Sequence, residues 1–232
     1  MDVYTASSMR TGFFYYLYFM ICFNFASRSR PSKFYECLDN IRQFISDKDY
    51  FVLAKLDNND REIESYKARL NDYPEVIPVF GISQSKTHAI NRGLEGVKFD
   101  ILCNHSDDMF FIKKGFDLVI KEHCTDDTFI HFPDAKTTLC TYSIMNKIYF
   151  SRFNYVYHPN YKNLWCDNEA MEVAKRLGRY KFVDEKILEH RHPANGFGRP
   201  DMQYRKTEAT YHIDKRTFDI RKRNNFGLIT AI

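Results

Sequence analysis

Two adjacent carboxylates, Asp107 and Asp108, close the stretch ILCNHSDDMFF at residues 101–111. An apolar run stops at Cys103 and resumes at Met109, so the pair stands where a buried strand gives way to a turn. Like charges side by side at such a place repel unless something positive sits between or beside them. A divalent cation taking oxygen ligands meets that need. The plainer alternative is a strand-end turn in which Asp107 caps the backbone of Met109 or Phe110. Two further groups have the right chemistry. Asp167 and Glu169 in LWCDNEAMEVAKRLG precede an amphipathic helix, where an acid either favours the helix N-terminus or takes a proton from a substrate hydroxyl. His190 and His192 in LEHRHPANG are two residues apart, which on a strand puts both imidazoles on one face.

The elements that must position these groups alternate along the chain. MICFNF, YFVLAKL, EVIPVFG and FDILCN read as four strands, separated by helical SKFYECLDNIRQFISD, REIESYKARLND and SQSKTHAINRGLEG. The first helix has Pro31 in its opening turn and Phe34, Leu38, Ile41 and Ile45 on one face. Ser83 or Ser85 can cap the third, and Gly96 lies past its end. Such βαβαβαβ order predicts a parallel sheet with strands buried on both faces. Past residue 111, FIHFP, LCTYSI, YKFVD and KILEHRH read as further strands, and DNEAMEVAKRLG as a helix.

In an open parallel sheet, ligands bind beyond the carboxyl ends of the strands. Those ends carry ASRSRP, LDNND, the Ser83–Lys86 turn and HSDD. No G-x-G-x-x-G follows the first strand and no G-x-x-x-x-G-K-[ST] occurs, which disfavours dinucleotide oxidoreductases and P-loop NTPases. Composition sets looser bounds. The chain of 232 residues is 44% hydrophobic and 28% charged, with 21 Phe and 16 Tyr to fill a core and a formal net charge of +4. That charge leans weakly toward anionic partners. The six cysteines form no C-x-x-C pair, and several sit in apolar runs. They read as buried free thiols of a protein in a reducing, cytoplasmic compartment. Residues 13–26 are apolar but too short to span a bilayer comfortably. The core is expected to begin at Met20, leaving residues 1–19 as an extension.

The order of ASRSRP, LDNND, SKTHAINRGL, SDDM, DNE and HRHP resembles that of GT-A-fold glycosyltransferases of the family-2-like kind, over about residues 20–195. The resemblance implies an α/β fold of GT-A type: a Rossmann-like, mostly parallel sheet flanked by helices, with a smaller mixed acceptor-side region. It implies one catalytic domain at 20–200, followed by a helical, basic tail at 201–232. It also implies a nucleotide-sugar donor, with UDP the commonest choice, and Mn²⁺ or Mg²⁺ at the carboxylate pair. Asp108 would bind the metal, and Asp107 would face the ribose or the metal's water shell. Ala26 and Ser27 would offer backbone to the nucleoside, Arg28 would stack on or bond to the base, and Asp57 would take a uracil N3–H. Lys86 would reach the diphosphate. Asp167 would be the general base of an inverting transfer to an acceptor hydroxyl, and a histidine after the last core strand, His190 before His192, a further metal ligand.

Three other readings compete with this one. A sugar nucleotidyltransferase would share sheet and metal but lacks its glycine-rich signature here. A metal-dependent nuclease would use Asp107, Asp108 and His190. A non-catalytic nucleotide-sugar-binding module would keep the fold without turnover. The acceptor is not legible. The basic stretch DKRTFDIRKRNN permits contact with nucleic acid or an anionic membrane surface, and also fits a solvated helix face.

Overall fold

The computed structural model describes residues 19–134, 138–197 and 199–228. The extension expected at 1–19 therefore lies, but for Phe19, outside the described residues. Nine strands are found among them: β1 (Ile21–Ala26), β2 (Tyr50–Asp57), β3 (Val76–Gly81), β4 (Ile101–His105), β5 (Met109–Phe111), β6 (Phe129–His131), β7 (Ile144–Asn146), β8 (Tyr180–Phe182) and β9 (Leu188–His190). The α-helices are α1 (Pro31–Phe44), α2 (Ile63–Lys67), α3 (Lys86–Asn91), α4 (Phe116–His123), α5 (Lys147–Ser151), α6 (Cys166–Arg176), α7 (Met202–Glu208) and α8 (Tyr211–Arg223).

Seven strands form one sheet in the order β3-β2-β1-β4-β7-β6-β8, and β5 pairs with β9 in a separate ribbon. The strands from β3 to β4 are parallel; β7 runs antiparallel to both of its neighbours, and β8 is parallel to β6. This is the mostly parallel α/β sheet that the alternation predicted. Period-two alternation sends Ile21, Phe23 and Phe25 of β1 into the core under α1, with Val52, Ala54, Leu56, Ile101 and Cys103. The opposite face sends Cys22, Leu53 and Leu102 against Ile90, Val173 and Phe218. Helix α1 buries Phe34, Cys37, Leu38 and Ile41 at i, i+3, i+4 and i+7. Each such apolar side chain contributes about 1.5–3 kcal/mol relative to exposure.

Three expectations are corrected. Strand β3 is not buried on both faces: it is the sheet edge, and Ile77 is 50% and Phe80 40% exposed. The strand read in LCTYSI begins only at Ile144: Ser143 still gives its carbonyl to the Asn104 N–H of β4, but Thr141 farther back turns its hydroxyl to Asp134 and His190. The helix read in REIESYKARLND is one short α-helix followed by a 3₁₀ turn at Leu70–Asp72.

Candidate active site

A cavity of about 500 Å³ opens at the carboxyl ends of β1, β2 and β4. Its wall includes Ala26, Ser27, Arg28, Asp57, Lys86, Asp107, Asp108, Asp167 and His190, so all nine residues singled out from the sequence meet at one opening. The parallel strands account for the first five and the carboxylate pair, since strands in register deliver their ends to one edge. Asp167 arrives on the first turn of α6. His190 arrives on β9, whose pairing sets Met109 opposite His190 and ties the histidine to the turn that carries Asp107 and Asp108.

The two adjacent carboxylates have opposite surroundings. Asp107 is buried, and its oxygens are taken: Ser27 Oγ donates to Oδ2 at 2.7 Å, and Arg30 donates to Oδ1 at 2.8 Å. Burial, with Asp108 beside it, pushes the Asp107 carboxyl above its ordinary range despite Arg30. Asp107 therefore braces the turn, and the cap on Met109 is not its role, because the Met109 N–H goes to the Ser106 carbonyl. Asp108 accepts from Ser106 Oγ and, at 3.0 Å, from the Tyr204 hydroxyl. Its Oδ2 lies 3.5 Å from His190 Nε2. Burial opposes its charge, but His190, Lys86 and Ser106 outweigh burial and hold its carboxyl well below the usual carboxylate range. His192 is one step removed: it follows the end of β9, caps the 3₁₀ turn at Pro193–Asn195 and stands edge-on to Tyr204.

At the opposite end of the cavity the charges are interlocked. Asp57 receives Arg92 at 2.8 Å on one oxygen and Arg28 on the other. Burial raises its carboxyl, yet Arg92, Ser83 and Arg28 together bring it below the ordinary value. Arg92 also holds the carbonyls of Leu56 and Val79 and the Ser83 hydroxyl. It lies so close to Gly81 that a Cβ there would meet its guanidinium at 2.9 Å. Ser83 is thereby spent, and it is Ser85 that caps α3, accepting from the His88 N–H at 3.1 Å. Lys86 thus falls on the first turn of α3 and has no carboxylate partner among the described residues. The Ser27 N–H, expected to be open to a ligand, donates to the Lys55 carbonyl at 3.4 Å. Lys55 itself is buried on the cavity wall, and burial pushes its ammonium down to about 8.

The acids at 167 and 169 separate cleanly. Glu169 is a structural brace: Arg221 grips both oxygens at 2.7 Å, and the Tyr161 hydroxyl donates to it at 2.6 Å. Asp167 is not the cap of α6, a place taken by Trp165 at φ 63°. Among the described residues its Oδ1 accepts only the neighbouring Asn168 N–H at 2.9 Å, and burial raises its carboxyl above the ordinary value. Such a group faces the cavity with a spare lone pair and raised basicity.

Arg30, Tyr204 and Asp201 were not chosen from the sequence. Arg30 joins Asp107 to Asp201, which it grips at 2.7 and 2.8 Å, and lies 4.2 Å over the Tyr204 ring. Asp201 caps α7, the helix that brings Tyr204 to Asp108. Arg30 stands in the same loop as Arg28, which is a signal; Tyr204 sits in a polar segment and gave none.

The fold is the α/β arrangement of GT-A type that the resemblance implied. No protein-family model matches the chain, and no curated protein compared with it matches. Among solved structures, the chain is similar to a mannosyltransferase of Pyrobaculum calidifontis in complex with GDP-Man and Mn²⁺, with TM-score 0.69 and 12% identity over 88% of this chain; it spans 65% of that protein. It is similar also to glucosyl-3-phosphoglycerate synthase of Mycobacterium tuberculosis in complex with Mn²⁺, UDP and glucosyl-3-phosphoglycerate, with TM-score 0.58 and 12% identity over 92% of this chain and 82% of that one. A third, 4-diphosphocytidyl-2C-methyl-D-erythritol synthase of Anaerococcus prevotii, has TM-score 0.55 at 11% identity, over 83% of this chain and 96% of that one. At these identities it is the fold that is shared, and the fold hosts more than one chemistry.

Proposed function

We propose that this chain is a metal-dependent glycosyltransferase that moves a sugar from a nucleotide-sugar, a UDP-sugar by first choice, to an acceptor hydroxyl with inversion at the anomeric carbon. The single observation that carries the proposal is the division of labour among the cavity acids: Asp108 beside His190, Asp107 and Asp57 neutralised by arginines, and Asp167 left with a spare lone pair. In this reading, residues 20–200 act as one catalytic unit.

Among the described residues no three His, Cys, Asp or Glu side chains converge as a ready-made metal cluster. A donor set of one carboxylate oxygen and one imidazole nitrogen nevertheless fits Mn²⁺ or Mg²⁺ when the remaining ligands are phosphate oxygens and water. Asp108 and His190 would hold the ion. When bound, it supplies charge neutralisation to the departing diphosphate. The chain's own residues do the rest. Asp57 with Arg28 reads the edge of the base, and Lys86 faces the phosphates. Asp167 takes the proton of the acceptor hydroxyl as its oxygen bonds to the anomeric carbon, while the sugar–phosphate bond breaks and the diphosphate leaves with the electron pair. Burial that raises the Asp167 carboxyl makes it a better base at neutral pH.

Incubation with nucleotide-sugars, Mn²⁺ and a panel of hydroxyl acceptors, read by mass spectrometry, tests the proposal. A glycosylated product and a released nucleoside diphosphate support it. Release of inorganic pyrophosphate from a nucleoside triphosphate and a sugar phosphate would instead make it a nucleotidyltransferase.

A further inference from the structure

Beside His190 stands a polar chain that the proposed reaction does not use; it starts at Thr141 on the cavity wall and runs to buried Asp134. The Thr141 hydroxyl lies 3.0 Å from His190 Nδ1 and donates to Asp134 Oδ2. Asp134 is 1% exposed, and its carbonyl accepts the His190 N–H at 2.9 Å. Asn195 Nδ2 holds the His190 carbonyl at 2.9 Å. The backbone of His190 is thus fixed on both sides, and its ring is fixed by Thr141.

The direction of these bonds follows from proton count. A threonine hydroxyl has one proton to give, and a carboxylate has none. The bond to Asp134 is charge-assisted and takes the hydroxyl proton. The Thr141 oxygen then has only lone pairs left for His190, so Nδ1 must bring its own proton. In neutral imidazole one nitrogen carries the proton, and the other is an acceptor. The acceptor is then Nε2, which points at Asp108 Oδ2 from 3.5 Å. In the neutral ring two lone pairs face one another across that gap, an arrangement that is favourable only with a positive centre between them, a proton on Nε2 or a bound cation in its place.

We propose that Thr141, anchored by Asp134, is a positioning residue that fixes His190 in the Nδ1–H tautomer and so presents Nε2 as a ligand toward Asp108. The inference rests on the reading of Asp108 and His190 as the cation-binding pair. A hydrogen bond to the far nitrogen of a ligating histidine commonly changes metal affinity about 10–100-fold.

The test uses the whole chain in three forms: wild type, Thr141→Val and Thr141→Ser. Valine keeps the shape and removes the hydroxyl; serine restores the hydroxyl. Nitrogen-15 shifts of the His190 ring, read by NMR in the metal-free protein, report the tautomer, and electron paramagnetic resonance with Mn²⁺ and UDP reports affinity. Expected are an Nδ1–H tautomer in wild type, its loss in Thr141→Val, and its return in Thr141→Ser. Mn²⁺ affinity should fall about 10–100-fold in Thr141→Val and recover with serine. A wild-type ring protonated on Nε2, or a Thr141→Val protein with unchanged tautomer, overturns the proposal. Wild-type protein that takes up no Mn²⁺ overturns the metal reading by itself, and the tautomer spectra still decide on Thr141.

Discussion

Replacing Arg30 with Met measures how far the carboxylate turn depends on one guanidinium. Methionine retains an unbranched apolar stem and removes the charge and every donor. In the native protein the Arg30 side chain is 12% exposed and that of Asp107 is 6% exposed. Deleting the cation leaves Asp107 buried with Ser27 as its remaining donor. Removing one partner of a buried ion pair costs about 3–5 kcal/mol. The lower end applies, because burial already raises the Asp107 carboxyl, so the orphaned group sheds its charge by taking a proton. The lost grip on Asp201 adds little, since that side chain is 39% exposed and water replaces the guanidinium. A loss of ~3 kcal/mol in a chain of this size lowers Tm by about 6–12 °C. Urea unfolding and calorimetry on the ligand-free protein read both numbers. Asp107→Asn in the Arg30→Met background removes the stranded carboxylate and should recover at least half of the loss. A single-variant cost below about 1 kcal/mol, typical of an exposed pair, or a double variant no better than the single, would show that Arg30 does not carry the charge of Asp107.

Asp108→Asn should abolish Mn²⁺-dependent binding of UDP while leaving the unfolding transition near wild type; calorimetric titration with unchanged affinity would sink the metal assignment. His190→Ala should weaken Mn²⁺ affinity about 10–100-fold and more than His192→Ala does, because only His190 faces Asp108 within 3.5 Å; a reversed order moves the ligand to His192. Asp167→Asn should bind donor normally and lose roughly 10²–10⁴ in kcat, and wild-type turnover in that variant refutes the base assignment. Lys55 supplies a pH signature. Its folded ammonium is pushed down to about 8 from 10.5, so the unfolded chain binds more protons between those values, and stability rises with pH across that window. Lys55→Met should lack that rise, on the order of 3 kcal/mol, when unfolding is compared at pH 7.5 and pH 10; parallel curves for the two proteins would refute the shift.

The parallel half of the fold was legible because its strands alternate and its helices repeat at their own periods. Ile21, Phe23 and Phe25 name one face of β1 before any coordinate is known. The cavity residues were legible for a related reason: parallel strands must end on one edge, so chemistry-bearing residues at strand ends are neighbours by topology. What could not be read lies in pairings across long sequence distance. Nothing local distinguishes Glu169 from Asp167; only the arrival of Arg221 from α8 makes one a brace and leaves the other open. Tyr204 sits in a polar stretch whose periodicity is short, and its contact with Asp108 spans 96 residues of sequence. The edge position of β3 was missed because an apolar run looks the same whether one neighbour or two will cover it.

The register that sets Met109 opposite His190 has a consequence for how the protein is made. Asp108 follows directly on the parallel strands and leaves the ribosome early, whereas the imidazole facing it belongs to a strand synthesised much later. The first four strands can already pair, and cover the apolar face under α1, while that strand is still untranslated; the opposite face waits for Phe218. A chain stalled before Leu188 would present a carboxylate turn with no histidine opposite it, and would gain nothing from added Mn²⁺. On the proposed metal reading, cation-dependent stabilisation therefore marks the arrival of β9, and nascent chains of graded length should acquire it in one step as that strand emerges.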